Sequence, residues 1–319
     1  MQSEANPKLS VLLPVYNAEK YVGEAIESIL NQTFNDFELI IANDGSSDKS
    51  GEIIKTFESK DSRIVISNNA VNQGKTPTIN RIYSLAKGQY LTIHDADDFS
   101  EIDRFEKQIR FLEENRDYIV CGCFFNTISD KGELFSRNRL NENHADMIAS
   151  LLKGSQIHGP TAIFRNGILK DKCLYRPYFE DNYEDVDLIY RLLTLDKGYN
   201  FPEFLYNYRI LETSLCRKDV NVRNRNLYEV VLFLMKQRMN GEVDALDRGE
   251  VNLVDNYFDS ITKKYYQDLA LIHREAASYY LYWGMKKLAI KESIKAIKKS
   301  PLALRNYRTL LYCLRKSIF

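Results

Sequence analysis

The sequence predicts an α/β protein: a mostly parallel, doubly wound sheet flanked by helices and followed by an all-helical C-terminal extension. Three observations carry that expectation. Runs rich in Val, Ile and Leu recur at Leu9–Leu13, Phe37–Ala42, Ile64–Ile66 and Tyr90–Ile93. They lack the polar alternation of strands with one wet face, as expected of a sheet covered on both sides. Helical apolar stripes lie between them, the pattern of right-handed crossover units. Beyond about residue 215 strand signals stop while helical periodicity continues, so we expect a sheet domain over 1–215 and a helical region over 216–319.

Composition bounds the alternatives. With 44% hydrophobic residues, 28% charged residues and no net charge, the 319 residues exclude disorder, collagen-like repetition and coiled coil. The longest apolar runs, such as Tyr118–Phe125, are too short to cross a bilayer, and the N-terminus lacks a cationic segment followed by an apolar one. A soluble, cytoplasmic chain is expected. Cys121, Cys123, Cys173, Cys216 and Cys313 are scattered and never spaced as CxxC, which predicts neither a disulfide framework nor a structural zinc site.

Each element follows in order. Val22, Ala25, Ile26, Ile29 and Leu30 mark the first crossover helix, and Asp48–Glu58 and Thr76–Lys87 the next two. After the fourth strand, Glu101–Asn115 sets Ile102, Phe105, Ile109 and Leu112 on one helix face, ahead of a strand at Tyr118–Phe125. Ser129–Asn143, rich in Gly, Asn and Ser, reads as a loop. A short helix, a strand at Thr161–Arg165, a helix at Asp185–Leu195 and a last strand near Phe204–Tyr208 complete the domain. The helical region opens with Leu227, Val230, Val231 and Leu234. Within it Glu275–Pro301 resembles one tetratricopeptide-type hairpin. A single such unit cannot bury its own face, so it is expected to cap or pack on the rest of the chain.

Three acidic sites stand at or beyond predicted strand ends, where open α/β sheets bind ligands. Asn43-Asp44-Gly45-Ser46-Ser47-Asp48 reads as a turn with a helix cap or as a ligand site. His94-Asp95-Ala96-Asp97-Asp98 places three carboxylates in four residues, a repulsion that a divalent cation removes. Mg²⁺ takes one or two carboxylates and completes its shell with phosphate oxygens and water, so a metal–diphosphate site competes there with an acidic helix start. In Tyr183–Arg191, Glu184 and Asp185 open a helix, as caps or as a general base. Asp187 and Arg191, four residues apart, are expected to pair on the helix surface.

Taken together, SVLLPVYNAE from Ser10, NQTFNDFELIIANDGSSD, NQGKTPTIN, GQYLTIHDADD and YEDVDLIYR resemble the successive motifs of the inverting family 2 glycosyltransferases over about residues 8–210. The resemblance implies the GT-A fold, with its Rossmann-like, mostly parallel sheet flanked by helices. It also implies transfer of a sugar from a nucleotide-sugar, a UDP-sugar first of all, to a hydroxyl of a glycan or lipid-linked acceptor in cell-surface polysaccharide synthesis. By the same resemblance Pro14, Tyr16, Asn17 and Asp44 surround the base, Asp95 approaches the ribose, and Asp97 ligates Mn²⁺ or Mg²⁺. Asn72, Gly74 and Asn80 match the NxG…N segment, Lys75 supplies positive charge where Ile79 replaces a frequent Arg, and Arg209 matches a terminal YR element at the diphosphate. Asp185 matches the catalytic base with Glu184 as its companion, and His158-Gly159 the acceptor side.

A non-catalytic carbohydrate-binding or scaffold module of the same fold is the alternative; retention of both Asp97 and Asp185 argues against it. The basic end points to partners. Residues 286–319 hold ten Lys or Arg against the single acid Glu292, a net of +9 that leaves −9 for residues 1–285. No nucleic-acid motif accompanies these charges. They are expected either to contact the inner face of an anionic membrane or to pair with the acidic remainder of the chain, including that of a second copy in a homodimer.

Overall fold

The structure, a computed structural model, describes residues 6–169, 173–180, 182–211, 221–282 and 284–318. The boundary expected at residue 215 and Cys216 lie outside the described residues. The chain divides into two compact units, Met1–Ser214 and Leu215–Phe319.

In the first unit β1 (Leu9–Val15), β2 (Phe37–Asp44), β3 (Ile64–Asn69) and β4 (Tyr90–Ile93) pair in parallel in the order β3-β2-β1-β4. Val11, Leu12, Leu13, Leu39, Ile40 and Ile41 are fully buried, the physical reason these runs carry no polar alternation. Helices α1 (Val22–Leu30), α2 (Ser50–Glu58), α3 (Lys75–Tyr83) and α4 (Arg104–Glu114) alternate with the strands. Val22, Ile26 and Ile29 of α1 and Phe105, Ile109 and Leu112 of α4 join the sheet residues in one core. Ile102 does not share that face, because α4 starts two residues later and leaves Ile102 59% exposed.

The second half of the sheet mixes directions. It comprises β5 (Phe99–Ser100), β6 (Tyr118–Ile128), β7 (Leu134–Asn138), β8 (Ile163–Arg165) and β9 (Lys197–Arg209), with α5 (His144–Ser150) and α6 (Glu184–Leu193) between them. The full order is β3-β2-β1-β4-β8-β6-β9-β5, with β7 paired to β6. β8 is antiparallel to both β4 and β6, and β9 is parallel to β6. Because β8 runs against β4, the turn entering β8 lies at the same sheet edge as the turns leaving β1, β2 and β4. β6 and β9 run with β4, so the end of β9 reaches that edge too.

The second unit holds α7 (Val222–Met239), α8 (Val251–Gln267), α9 (Leu271–Tyr282), α10 (Lys286–Lys299) and α11 (Leu304–Ile318). Asn221 caps α7, its Oδ1 accepting the Asn224 amide at 2.8 Å. Asn226 Nδ2 donates to Thr262 Oγ1 at 2.9 Å across α7 and α8. Ala276 and Ala277 of α9 meet Ala289 of α10 and Cys313 of α11 in one small cluster, where short side chains let the helices approach closely. Among the described residues no helix is long and apolar enough to cross a membrane.

Candidate active site

The site grows from the strand ends. Asp44 closes β2 with 3% exposure, and its carboxylate accepts from Asn69 Nδ2 (2.5 Å) and from the amides of Gln73 (2.9 Å) and Gly74 (3.0 Å). Asn72 Oδ1 accepts the same Gly74 amide at 2.8 Å, so Asp44 and Asn72 together shape the turn that enters α3. Gly45 is required beneath it: its φ is +67°, and a Cβ would come within 2.6 Å of the Val71 carbonyl carbon. On the neighbouring strand Pro14 lies in register with Ala42, and Asn17 Oδ1 accepts the Ser47 amide at 2.9 Å. Tyr16 stands at the rim, half exposed, with its ring available for stacking.

After β4 the chain enters His94–Asp98. His94 Nδ1–H donates to the Asp95 carbonyl at 2.8 Å, which leaves Nε2 to accept from Ser100 Oγ at 3.1 Å. Burial, reinforced by Arg104, pulls the imidazole down to about 3, so the ring is neutral. Burial works against charge on Asp95, but Lys75 outweighs it with Nζ 2.8 Å from Oδ1 and holds that carboxyl below its usual range. Burial, with Asp95 adding to it, pushes Asp97 up to about 6. Asp98 is committed to the fold: Oδ2 accepts from Tyr206 Oη at 2.8 Å and Oδ1 from the Arg209 amide at 2.7 Å.

Arg209 reaches the site at its back. Its Nε donates to the Asp97 carbonyl at 2.8 Å, Nη1 to the carbonyls of Ser129 and Asp130 at 3.2 Å each, and Nη2 to Glu24 Oε2 at 2.5 Å. The guanidinium is thereby committed to protein acceptors. In this placement Arg209 holds the Asp97 loop.

The side where the acceptor is expected is built by β8 and α6. Gly159, in the turn entering β8, presses on Asp185: a Cβ there would lie 2.6 Å from Asp185 Oδ2 and 2.8 Å from its Cβ. Asp185 Oδ1 accepts the Val186 amide at 2.8 Å at the start of α6, and burial raises its carboxyl above the usual range although Lys75 opposes the rise. Glu184 is 4% exposed beside it. The His158 ring stacks on Phe125 at 4.1 Å and meets the edge of Tyr208 at 5.1 Å. Burial pulls His158 down to about 4, and its Nε2 is buried with no hydrogen-bond partner among the described residues.

Asp187 and Arg191 do pair, Nε to Oδ2 at 3.1 Å, but not on the surface: the side chains are 3% and 1% exposed. Arg176 joins them, its Nε 2.8 Å from the same oxygen. The cluster fastens the chain before α6 to the helix and thereby sets the direction in which α6 offers Glu184 and Asp185.

The profile of Glycosyl transferase family 2 matches residues 10–171, half of the chain. The chain belongs to that family. It is 27% identical over 314 residues to an uncharacterized glycosyltransferase of Haemophilus influenzae, covering 92% of this chain and 96% of that one. It is also 27% identical over 320 residues to the minor teichoic acid biosynthesis protein GgaB of Bacillus subtilis, covering 98% of this chain and 32% of GgaB. Among solved structures, S. aureus TarS 1-349 in complex with UDP-GlcNAc superposes with a TM-score of 0.62 at 18% identity, over 98% of this chain and 88% of that one. The fold is GT-A, and the protein is a glycosyltransferase.

Two supports of this glycosyltransferase site, Arg104 and Tyr206, escaped the sequence reading, and a third, Asn80, was read in the NxG…N segment. Arg104, fully buried, donates to Thr92 Oγ1 at 3.0 Å and to the Pro160 carbonyl at 2.9 Å, tying the His158–Gly159 turn to β4. Asn80 clamps Tyr175 at both backbone atoms, donating to its carbonyl at 2.7 Å and accepting its amide at 2.9 Å. Tyr206 bridges Asp98 and lies under the Arg104 guanidinium at 5.0 Å. Arg104 begins a helix and Tyr206 sits in an apolar strand, so neither announces a site. Asn80 is the final Asn of the NQGKTPTIN motif, which is the signal that singled it out.

Proposed function

We propose that this glycosyltransferase moves a sugar from a UDP-sugar to a hydroxyl of a glycan or lipid-linked acceptor in one inverting displacement supported by Mn²⁺ or Mg²⁺. The observation that carries the reading is the gathering at one sheet edge of Asp44, the Asp95–Asp97 pair and Asp185. TarS, bound to UDP-GlcNAc, supports a UDP-sugar as donor. GgaB, by its role in teichoic acid biosynthesis, supports a surface polymer or its lipid-linked precursor as acceptor.

The residues fit a divalent ion. Partial burial, with the neighbouring Asp95 adding to it, raises Asp97 toward neutrality, which an added cation reverses. Among the described residues no three His, Cys, Asp or Glu converge. A cation held by Asp97 would therefore complete its shell with diphosphate oxygens and water. When bound, it would offset charge developing on the departing diphosphate. Asp44 shapes the base-side turn, Tyr16 offers a face to the uracil, and Lys75 holds Asp95 ionised toward the ribose. Asp185 accepts the proton of the acceptor hydroxyl as that oxygen attacks the anomeric carbon opposite the diphosphate. The unpartnered Nε2 of His158 is left for a sugar hydroxyl.

The test is UDP release from UDP-GlcNAc with Mn²⁺ or with EDTA, together with calorimetry of UDP plus Mn²⁺. Asp97→Ala is expected to abolish metal-supported UDP binding and leave the melting temperature unchanged, since it empties no core cavity. Unchanged affinity in that variant removes Asp97 from the site.

A further inference from the structure

We propose that α11 docks the protein on an anionic lipid bilayer through an outward apolar stripe. The helix is seated the wrong way round for an ordinary surface helix, whose apolar face turns inward. Its inner face carries Asn306 and Cys313, which are 0% and 1% exposed. Asn306 Nδ2 donates to the carbonyls of Ala296 (3.0 Å) and Ser300 (2.8 Å), and Cys313 Sγ lies 3.3 Å from Ser293 Oγ. Its outer face shows Leu304, Tyr307, Leu311 and Leu314 at 73%, 42%, 65% and 40% exposure. The spacing i, i+3, i+7, i+10 places all four on one line along the helix.

Charge selects the occupant. Arg308 and Arg315 follow the stripe one residue on from Tyr307 and Leu314, so on the helical wheel they border it, and α11 contains no acid. Arg305 instead turns to Asp268 at 2.8 Å, sharing that carboxylate with Arg274. A second copy packed face to face would set Arg308 and Arg315 against their own counterparts, whereas an anionic leaflet attracts them while its acyl region takes the leucines. This surface lies wholly within α11 and does not depend on the reading of the donor site.

The test uses the full chain with vesicles of phosphatidylcholine alone or mixed with phosphatidylglycerol, at low and high salt. The protein sediments with the mixed vesicles at low salt and stays in the supernatant with neutral ones. Leu304→Ser with Leu311→Ser lowers the partition coefficient by about tenfold or more, as expected when docked leucines are lost. Arg308→Gln with Arg315→Gln removes most of the salt dependence. All four side chains are exposed, so both pairs melt as the wild type does, and UDP release without vesicles is unaffected. Recovery in the supernatant under every condition, or binding untouched by the leucine pair, overturns the proposal. So does a wild-type dimer, seen by light scattering, that the leucine pair dissolves without any vesicle binding in the wild type; it assigns the face to a second copy.

Discussion

Gly159 is where one hydrogen atom decides the placement of Asp185, the proposed base. Any Cβ there enters the space of Asp185 Oδ2, so the Asp185 side chain must move. Gly159→Ala is expected to lower kcat by about tenfold to a hundredfold, the loss expected for a misplaced base, with UDP affinity unchanged. Steady-state kinetics beside UDP calorimetry checks it. Asp185→Asn keeps UDP binding and loses transfer by about a hundredfold or more. The pH profile adds a sign. Burial raises the Asp185 carboxyl, and a base must be deprotonated to work. The acid limb of kcat therefore lies above the usual carboxylate range, with activity rising as pH rises through it; a limb at the ordinary aspartate value would remove Asp185 from the role. At this scale the sequence made the acidic groups legible but not their surroundings. Asp187 and Arg191 look like a surface pair because helical spacing says nothing of Arg176, eleven residues earlier and brought in by a loop.

Among the elements, β9 and the loop after β4 act as one piece through Arg209, Asp98 and Tyr206. Arg209→Gln breaks the link to Glu24 and the carbonyls of Asp97, Ser129 and Asp130. It is expected to cost about 2–4 kcal/mol of stability, as loss of a buried, multiply bonded charge does. It is also expected to weaken Mn²⁺-supported UDP binding by about tenfold, the scale of losing second-sphere support at a metal site. Denaturant melts and calorimetry measure the two, and Arg209→Lys restores the stability only in part because it lacks the fork. β1 to β4 were legible because strands buried on both faces must be continuously apolar. β5, with two residues, is too short to show a period, and β7, LFSRN, alternates poorly in a stretch read as loop. Only the end of β9 was read as strand, since Gly198, Asn200 and Pro202 are poor strand formers held by pairing with β6. The direction of β8 is invisible to hydropathy, yet that reversal brings Gly159 to Asp185.

For the whole molecule, the change from strand to helical patterning was legible because a sheet and a set of helices bury their residues with different periods. The outward face of α11 was not: the charge of residues 286–319 stood out in the sequence, but which side of the helix packs is settled by Asn306 and Cys313. The central sheet core and every residue assigned to donor, metal or base lie within Met1–Ser214. A chain ending at Ser214 is accordingly expected to melt in one cooperative transition and to release UDP from UDP-GlcNAc with Mn²⁺ at a rate within a few fold of the full chain. The same shortened chain stays in the supernatant when anionic vesicles are sedimented, since it lacks α11. Circular dichroism melting, UDP release and co-sedimentation on one preparation separate the outcomes. A folded fragment that has lost UDP release would mean that the helical unit completes the active site, and a fragment that still sediments with vesicles would move the lipid contact to the sheet unit.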